Sequence, residues 1–323
     1  MAGSARLWSS RRVFTCSAVA ALAAATFGCE ASTCPGGGWQ PLEVVALGLD
    51  LDLNAMVEIH SDNAGPLAVS ALAVGPAGTV VGLAPFSEQT LIEVWTLPGA
   101  GELHAVHDWL VVGEQSFAAE SLDQGLTWTP IELGISGDLH AIARVDQRLV
   151  VVGDELVLVR ESDGTWLEPP PPPEGWGQLR DVHHDPVVDR TWAVGLGGRI
   201  WRSADPRESW LAEDSGTTAD LFAIARFAAG SEQLMAAGAD GALQVRERTS
   251  EASPWRTEAS GVEVDILDAH QGKLLTAEGV LLEHAGDGFE IVETVAGARK
   301  LAGDAYLVGD AGLVARKRFE ACY

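Results

Sequence analysis

Ser121-Leu122-Asp123-Gln124-Gly125-Leu126-Thr127-Trp128 is the stretch on which the fold turns. Its fixed positions suit a tight hairpin: the aspartate accepts backbone N–H groups, the glycine supplies a positive φ, and the tryptophan packs between sheets. Degraded copies follow it. Ser162-Asp163-Gly164-Thr165-Trp166 is shortened, Ser203-Ala204-Asp205 keeps its tryptophan at Trp210 without the glycine, and Gly286-Asp287-Gly288-Phe289 keeps little beyond Asp-Gly.

Upstream of these aromatics a short apolar run repeatedly meets a glycine turn. The runs are Ala73-Val74-Gly75, Val111-Val112-Gly113, Val151-Val152-Gly153, Ala193-Val194-Gly195, Ala236-Ala237-Gly238, the weaker Leu275-Thr276-Ala277-Glu278-Gly279, and Leu307-Val308-Gly309. Trp95, Trp128, Trp166, Trp210, Trp255 and Phe289 follow in turn, and Trp39 stands alone near the start. A period of about 40 residues built from short strands and turns predicts a radial array of four-stranded blades. The lead-ins Leu139-His140-Ala141-Ile142-Ala143 and Leu221-Phe222-Ala223-Ile224-Ala225 alternate with a period of two and predict the innermost strands. Pro169 to Pro173 cannot pair in a sheet and predict a stiff connection between blades.

The last unit stops before its aromatic strand, and the missing strand lies at the other end of the chain. Gly36-Gly37-Gly38-Trp39-Gln40-Pro41-Leu42-Glu43 matches Gly125 to Glu132 in pattern and order. The expected fold is therefore all-β: a seven-bladed β-propeller of four-stranded antiparallel blades over residues 36–323, closed by the N-terminal strand completing the last blade. Cys34 and Cys322 flank the gap in that composite blade, where a disulfide would fasten the ends. In the chain-entropy model so long a loop gains roughly 5 kcal/mol at most. The competing pairing joins Cys29 to Cys34.

Residues 1–28 read as a signal peptide. Arg6, Arg11 and Arg12 precede an uncharged run from Val13 to Phe27, too short for a comfortable membrane span. Ser10-Arg11-Arg12-Val13-Phe14 resembles a twin-arginine export motif. Thr26-Phe27-Gly28-Cys29 resembles a bacterial lipobox, which would make Cys29 the lipidated first residue and 29–35 a short tether; cleavage near Ala25 is the alternative. Without those three arginines the chain's net charge of −25 becomes −28. Such a charge repels nucleic acid and anionic membranes, which leaves membrane contact to a lipid anchor. An exported monomer is expected, in the bacterial cell envelope or free in the periplasm or outside.

The octapeptide at 121–128 resembles the Asp-box of the BNR repeat, S-x-D-x-G-x-T-W, at every specified position. The whole repeat, Leu-x-Ala-Ile-Ala leading to Val-Val-Gly-Asp and then to that box, is similar to the photosystem II stability and assembly factor-like propellers. The likeness covers nearly all of the chain after residue 35. It implies seven blades and a role carried by protein contacts, although the basic surface patch of that family has no counterpart in so acidic a composition. In families with Asp-boxes these residues staple hairpins. Ser121, Asp123, Gly125, Thr127, Trp128, Asp163, Trp166, Asp205 and Trp210 are accordingly expected to be structural.

Catalytic motifs are scarce in the sequence. Sialidases carry Asp-boxes, but they need a tyrosine nucleophile and an arginine cluster; the tyrosines here are Tyr306, in an expected strand, and Tyr323 at the end. Asp50-Leu51-Asp52-Leu53-Asn54 alternates like a strand and lacks the glycine and distal glutamate of a calcium loop. His183-His184-Asp185 reads as a solvent-facing turn, and Gly134-Ile135-Ser136-Gly137 is no nucleophile elbow. Trp109, Trp176, Trp192 and Trp201 offer stacking surfaces, with packing between blades as the simpler use. Trp176, beside the prolines, is the best candidate for a binding contact. The sequence thus points to a non-enzymatic scaffold that binds a protein or glycan, without metal or cofactor. A sialidase-like glycoside hydrolase is the alternative.

Overall fold

The structure, a computed structural model, describes residues 42–46, 50–59, 69–84, 91–227, 231–286, 288–303 and 306–317. The expectations for residues 1–28, Cys29, Cys34, Trp39, Asp287, Cys322 and Tyr323 lie outside the described residues. Within them 28 strands, β1–β28 in chain order, form seven antiparallel four-stranded sheets, and there is no α-helix. The innermost strands are β2 (Ala55–Glu58), β6 (Leu103–His107), β10 (Leu139–Val145), β14 (Leu179–Asp185), β18 (Leu221–Arg226), β22 (Ile266–His270) and β26 (Ala298–Ala302). Each touches the next around a ring, and β26 touches β2. This is a seven-bladed β-propeller. In the seventh sheet β1 (Leu42–Ala46) pairs antiparallel with β28 (Leu313–Lys317), with Leu42 opposite Lys317 and Ala46 opposite Leu313.

The second strands are the most buried, because each lies within its sheet and between two neighbouring blades. Their terminal glycines answer to crowding. Gly238 has an extended backbone, and a Cβ there would lie 1.9 Å from the Asp220 carbonyl oxygen. Gly113, Gly153, Gly195 and Gly309 meet the carbonyl before their own innermost strand in the same way. The left-handed residue of the turn comes two places later, for example Asp240 at φ 52° and Ala311 at φ 52°. The sixth unit departs from this scheme. Thr276 ends the strand opposite Ile266, and Gly279, at φ +73°, is the counterpart of Gly241 rather than of Gly238.

Seams between blades are laced by backbone and carboxylate hydrogen bonds. The Leu103 N–H donates to Gly75 and the Leu53 N–H to Gly309, each across a seam. Asp52, Asp138, Asp220 and Asp265, which precede innermost strands, accept the N–H of Ala311, Gln115, Gly197 and Asp240 in the preceding blade at 2.7–3.1 Å. Asp52 is thus a latch in a connecting segment, and residues 50–54 form no strand. The proline segment runs between Trp166–Leu167 and β14, in a connection between blades.

The seam contact predicts a contrast between two glycines. Gly238→Ala is expected to lose about 3 kcal/mol, the upper end of the cost of overpacking. Gly99→Ala, at φ +81° with open space around it, is expected to lose only about 1 kcal/mol. Chemical denaturation of both variants gives the comparison, and equal losses would remove close approach as the reason for Gly238.

Candidate functional site

The octapeptide hairpin is built by its own side chains. Ser121 Oγ donates to Asp123 Oδ1 at 2.9 Å and accepts the Gly125 N–H at 2.7 Å. Asp123 accepts the Thr127 N–H at 2.7 Å and the Thr127 hydroxyl at 2.6 Å, and these bonds hold its pKa below the ordinary carboxylate value. Gly125 sits at φ +94° against the Trp109 ring. Trp128 meets Trp95 and Trp109 with ring centres 6.0 and 6.1 Å apart. In the weaker copies Asp163 accepts the Thr165 N–H, Trp166 lies beneath Arg160, and Asp205 pairs with Arg207 while Trp210 Nε1 donates to the Pro206 carbonyl. None of these groups faces a cavity at the axis.

Trp176 offers no binding surface. It is 1% exposed, edge-on to both Trp201 and Trp210, because the inter-blade connection folds it into the seam. Trp109, Trp192 and Trp201 are buried as well. Tyr306 is 2% exposed within the seventh blade.

The cavity with convergent chemistry lies on the axis. It measures about 230 Å³ and is walled by β14, β18, β22 and β26, which contribute Asp181, His183, Arg226, Asp268, His270 and Lys300. The third residue of an innermost strand occupies the seam with the next blade: Ala141 packs among Trp176, Leu179 and Val182, and Ala105 among Leu139 and Val151. That place is alanine in β6, β10 and β18, and in the shorter β2 its counterpart by register is Ala55, opposite Val74 as Ala141 is opposite Val152; it is Asp181, Asp268 and Lys300 in β14, β22 and β26. Lys300 Nζ donates to Asp268 at 2.9 Å, and Asp268 also accepts the Leu301 N–H at 2.7 Å. Asp181 accepts the N–H of Ile224 and of Val182.

Two carboxylates thus share one ammonium. Burial, reinforced by the charge of Asp268, pushes the Asp181 carboxyl up to about 6, even though Lys300 and the two N–H donors oppose the shift. Burial works against the Lys300 ammonium, yet Asp268 and Asp181 outweigh it and raise its pKa above the usual lysine value. His183 lies in β14, not in a solvent-facing turn; burial pushes it down to about 4, so it is neutral at pH 7. Its Nε2 and Arg226 Nε are buried without a hydrogen-bond partner. His184 bonds Thr191, and Asp185 is wholly buried against Arg248.

Two further features escaped sequence reasoning. A bulge at the second residue of six innermost strands presents His104, His140, Arg180, Phe222, Leu267 and Arg299, and the His104 and His140 rings stack 5.1 Å apart. Arg190, Arg202, Arg246 and Arg248 gather around a second cavity of about 220 Å³, where Glu213, Glu251 and Asp185 pair with them. An acidic total charge concealed that local basic cluster. Aligning the blade starts would have exposed the axial charges, since each breaks a column of alanines.

In three dimensions the chain is similar to YCF48 bound to a D1 peptide, at 16% identity and a TM-score of 0.65 over 87% of this chain and 96% of that one. YCF48 from Cyanidioschyzon merolae matches at 16% identity and TM-score 0.65 over 86% and 98%. The WD40 propeller domain of Doa1 matches at 13% and 0.65 over 88% and 98%. At such identities the likeness is one of fold. No family model and no curated protein matches the sequence.

Asp181 gives a prediction with a definite sign. Its pKa is raised on folding, so its contribution to stability is fully present below pH 3.8 and is lost as pH rises through about 6. Asp181→Asn is therefore expected to stabilise the protein by roughly 1–2 kcal/mol at pH 8 and by little at pH 4. His183 works oppositely between pH 4 and 6.5, so the comparison must be made variant against parent at each pH. Urea melts at both values supply the numbers, and a gain independent of pH would contradict burial of the charge.

Proposed function

We propose that this chain is an exported, lipid-anchored, non-enzymatic β-propeller that binds a segment of another protein at its axis and serves as an assembly scaffold in the cell envelope. The observation that carries the reading is the axial cavity, where Asp181 remains ionisable beside a carboxylate that already has its cation. A lysine or arginine side chain entering from a partner would neutralise Asp181, while His183 Nε2 and Arg226 Nε await polar partners of their own. A net charge of −25 steers basic segments towards the site. Similarity to YCF48, a propeller described with a bound D1 peptide, supports a peptide as the ligand class.

Screening the purified domain against a peptide library tests this. Peptides with a central lysine or arginine are expected to be enriched, and binding should fall at least tenfold in Asp181→Asn and on lowering the pH from 7.5 to 5, where Asp181 is protonated. Enrichment of acidic peptides, or of none, would overturn the reading. In cells, the native protein is expected to partition into detergent and a Cys29→Ala form is not. Non-reducing peptide mapping is expected to recover Cys34 joined to Cys322, the fastener across the two ends of the chain.

A second reading rests on the same carboxylates. A carboxyl raised to about 6 near a second carboxylate is the pairing that glycoside hydrolases use as acid and base or nucleophile. Its tyrosine-dependent sialidase form finds no support in the buried Tyr306. Turnover of a glycoside panel, abolished by Asp181→Asn, would establish this reading over the scaffold; no turnover leaves the scaffold standing.

A further inference from the structure

We propose that Glu102, His104 and Glu114 form a binding site for a divalent first-row transition-metal ion, where the innermost strand of the second blade begins. One donor atom from each lies within 4.8 Å of the others, and all three residues are half-buried. Donors around a tetrahedral ion are about 3.4 Å apart, so side-chain shifts of roughly an ångström would close the three donors on it. One imidazole with two carboxylates selects zinc or manganese over calcium or magnesium, which prefer oxygen alone.

The strands explain how three residues so spaced in sequence converge. Leu103 pairs with Gly113, so Glu102 and Glu114 flank the same end of one antiparallel ladder, and the Glu114 N–H donates to the Glu102 carbonyl at 2.9 Å. The bulge between Leu103 and Ala105 presents His104 there as well. Each donor is held from behind. His104 Nδ1 lies 3.1 Å from the Leu139 carbonyl, which can only accept; Nδ1 therefore carries the proton and Nε2 keeps its lone pair. Asn54 Nδ2 donates to Glu102 Oε1 at 2.9 Å, and the Glu102 N–H donates to Glu114 Oε2 at 3.0 Å. Gly101 reserves the space, since a Cβ there would lie 2.3 Å from Glu114 Oε2.

The repeat itself supplies the control. The third blade carries the same arrangement as Asp138, His140 and Asp154, and there Arg180 of the fourth blade reaches in, bonding His140 and lying 3.8 Å from Asp154. In the seventh blade Arg299 pairs with Asp310 and with Asp52 of the first. The residue at Arg180's place relative to the second blade is His140, which stacks on His104 instead. Among the described residues no lysine or arginine pairs with Glu102 or Glu114. Two carboxylates and an imidazole stand together there without the cation that their counterparts have, and a metal ion supplies it.

Titration calorimetry of the mature chain with zinc chloride at 150 mM sodium chloride tests the site. One saturable equivalent per chain is expected, weakened at least tenfold in His104→Ala and in Glu114→Gln. Gly101→Ala removes no donor, yet is expected to weaken binding through the displaced Glu114 carboxylate. Asp154→Asn, in the third blade, is expected to bind as the parent does. Cobalt absorption reports the donor set and should lose its imidazole signature in His104→Ala, and circular dichroism confirms that each variant is folded. Absence of a saturable equivalent overturns the proposal, as does a folded His104→Ala that binds like the parent. Should that variant fail to fold, Gly101→Ala and Glu114→Gln decide by the same criterion.

Discussion

Seven sheets surround one axis when the side chain that each innermost strand sends into the seam is small or is hydrogen-bonded where it lies. Ala55, Ala105, Ala141 and Ala223 meet the first condition. Asp268 and Lys300 meet the second by pairing across adjacent blades, with Asp268 also taking a backbone N–H of its neighbour. The same crowding recurs one strand outwards. Gly238 and its four equivalents exist because a carbonyl oxygen occupies the place of their Cβ. Blade spacing at the axis thus decides which residues the repeat must keep, and the outer aromatics fill the widening gaps between sheets.

The excess of carboxylates acquires a structural use in this frame. Asp52, Asp138, Asp220 and Asp265 each take a backbone N–H from the turn of the preceding blade. Such a bond satisfies a donor that no ladder reaches, and bonds to a charged acceptor are roughly twice as strong as neutral ones. These four acids are latches between blades, so their charge serves the assembly of the ring. What remains distinctive is where charge stands without such a job.

The sequence was legible wherever the interaction is local. The hairpin at 121–128 closes through side chains two to four residues apart, so its pattern carries its own explanation. Glycine positions were legible too, but their cause was not: an extended Gly238 contacts a carbonyl eighteen residues earlier, and only the folded ladder brings the two together. The same non-locality misplaced Gly279, whose shortened unit hides Thr276 in the crowded position, and made Trp176 look available when a long connection folds it inwards. His183 and His184 resembled a turn because polar residues in a strand usually face solvent. Here they belong to an innermost strand, whose free edge borders the axis.

The repeat turns each blade into a control for the others, and that comparison separates scaffold from site. If the ring required charge at the seam place of its innermost strands, the four blades with alanine there would not form their sheets; they do, with the same strand order. Burying a charge is costly, and for Asp181 two N–H donors and a shared ammonium do not offset that cost, which appears as a carboxyl pushed to about 6. Alanine would remove that cost with a residue the ring already accepts. Asp181 is therefore a charge that closure of the ring does not require, and a carboxyl of raised pKa in a cavity is the kind of group that meets a ligand.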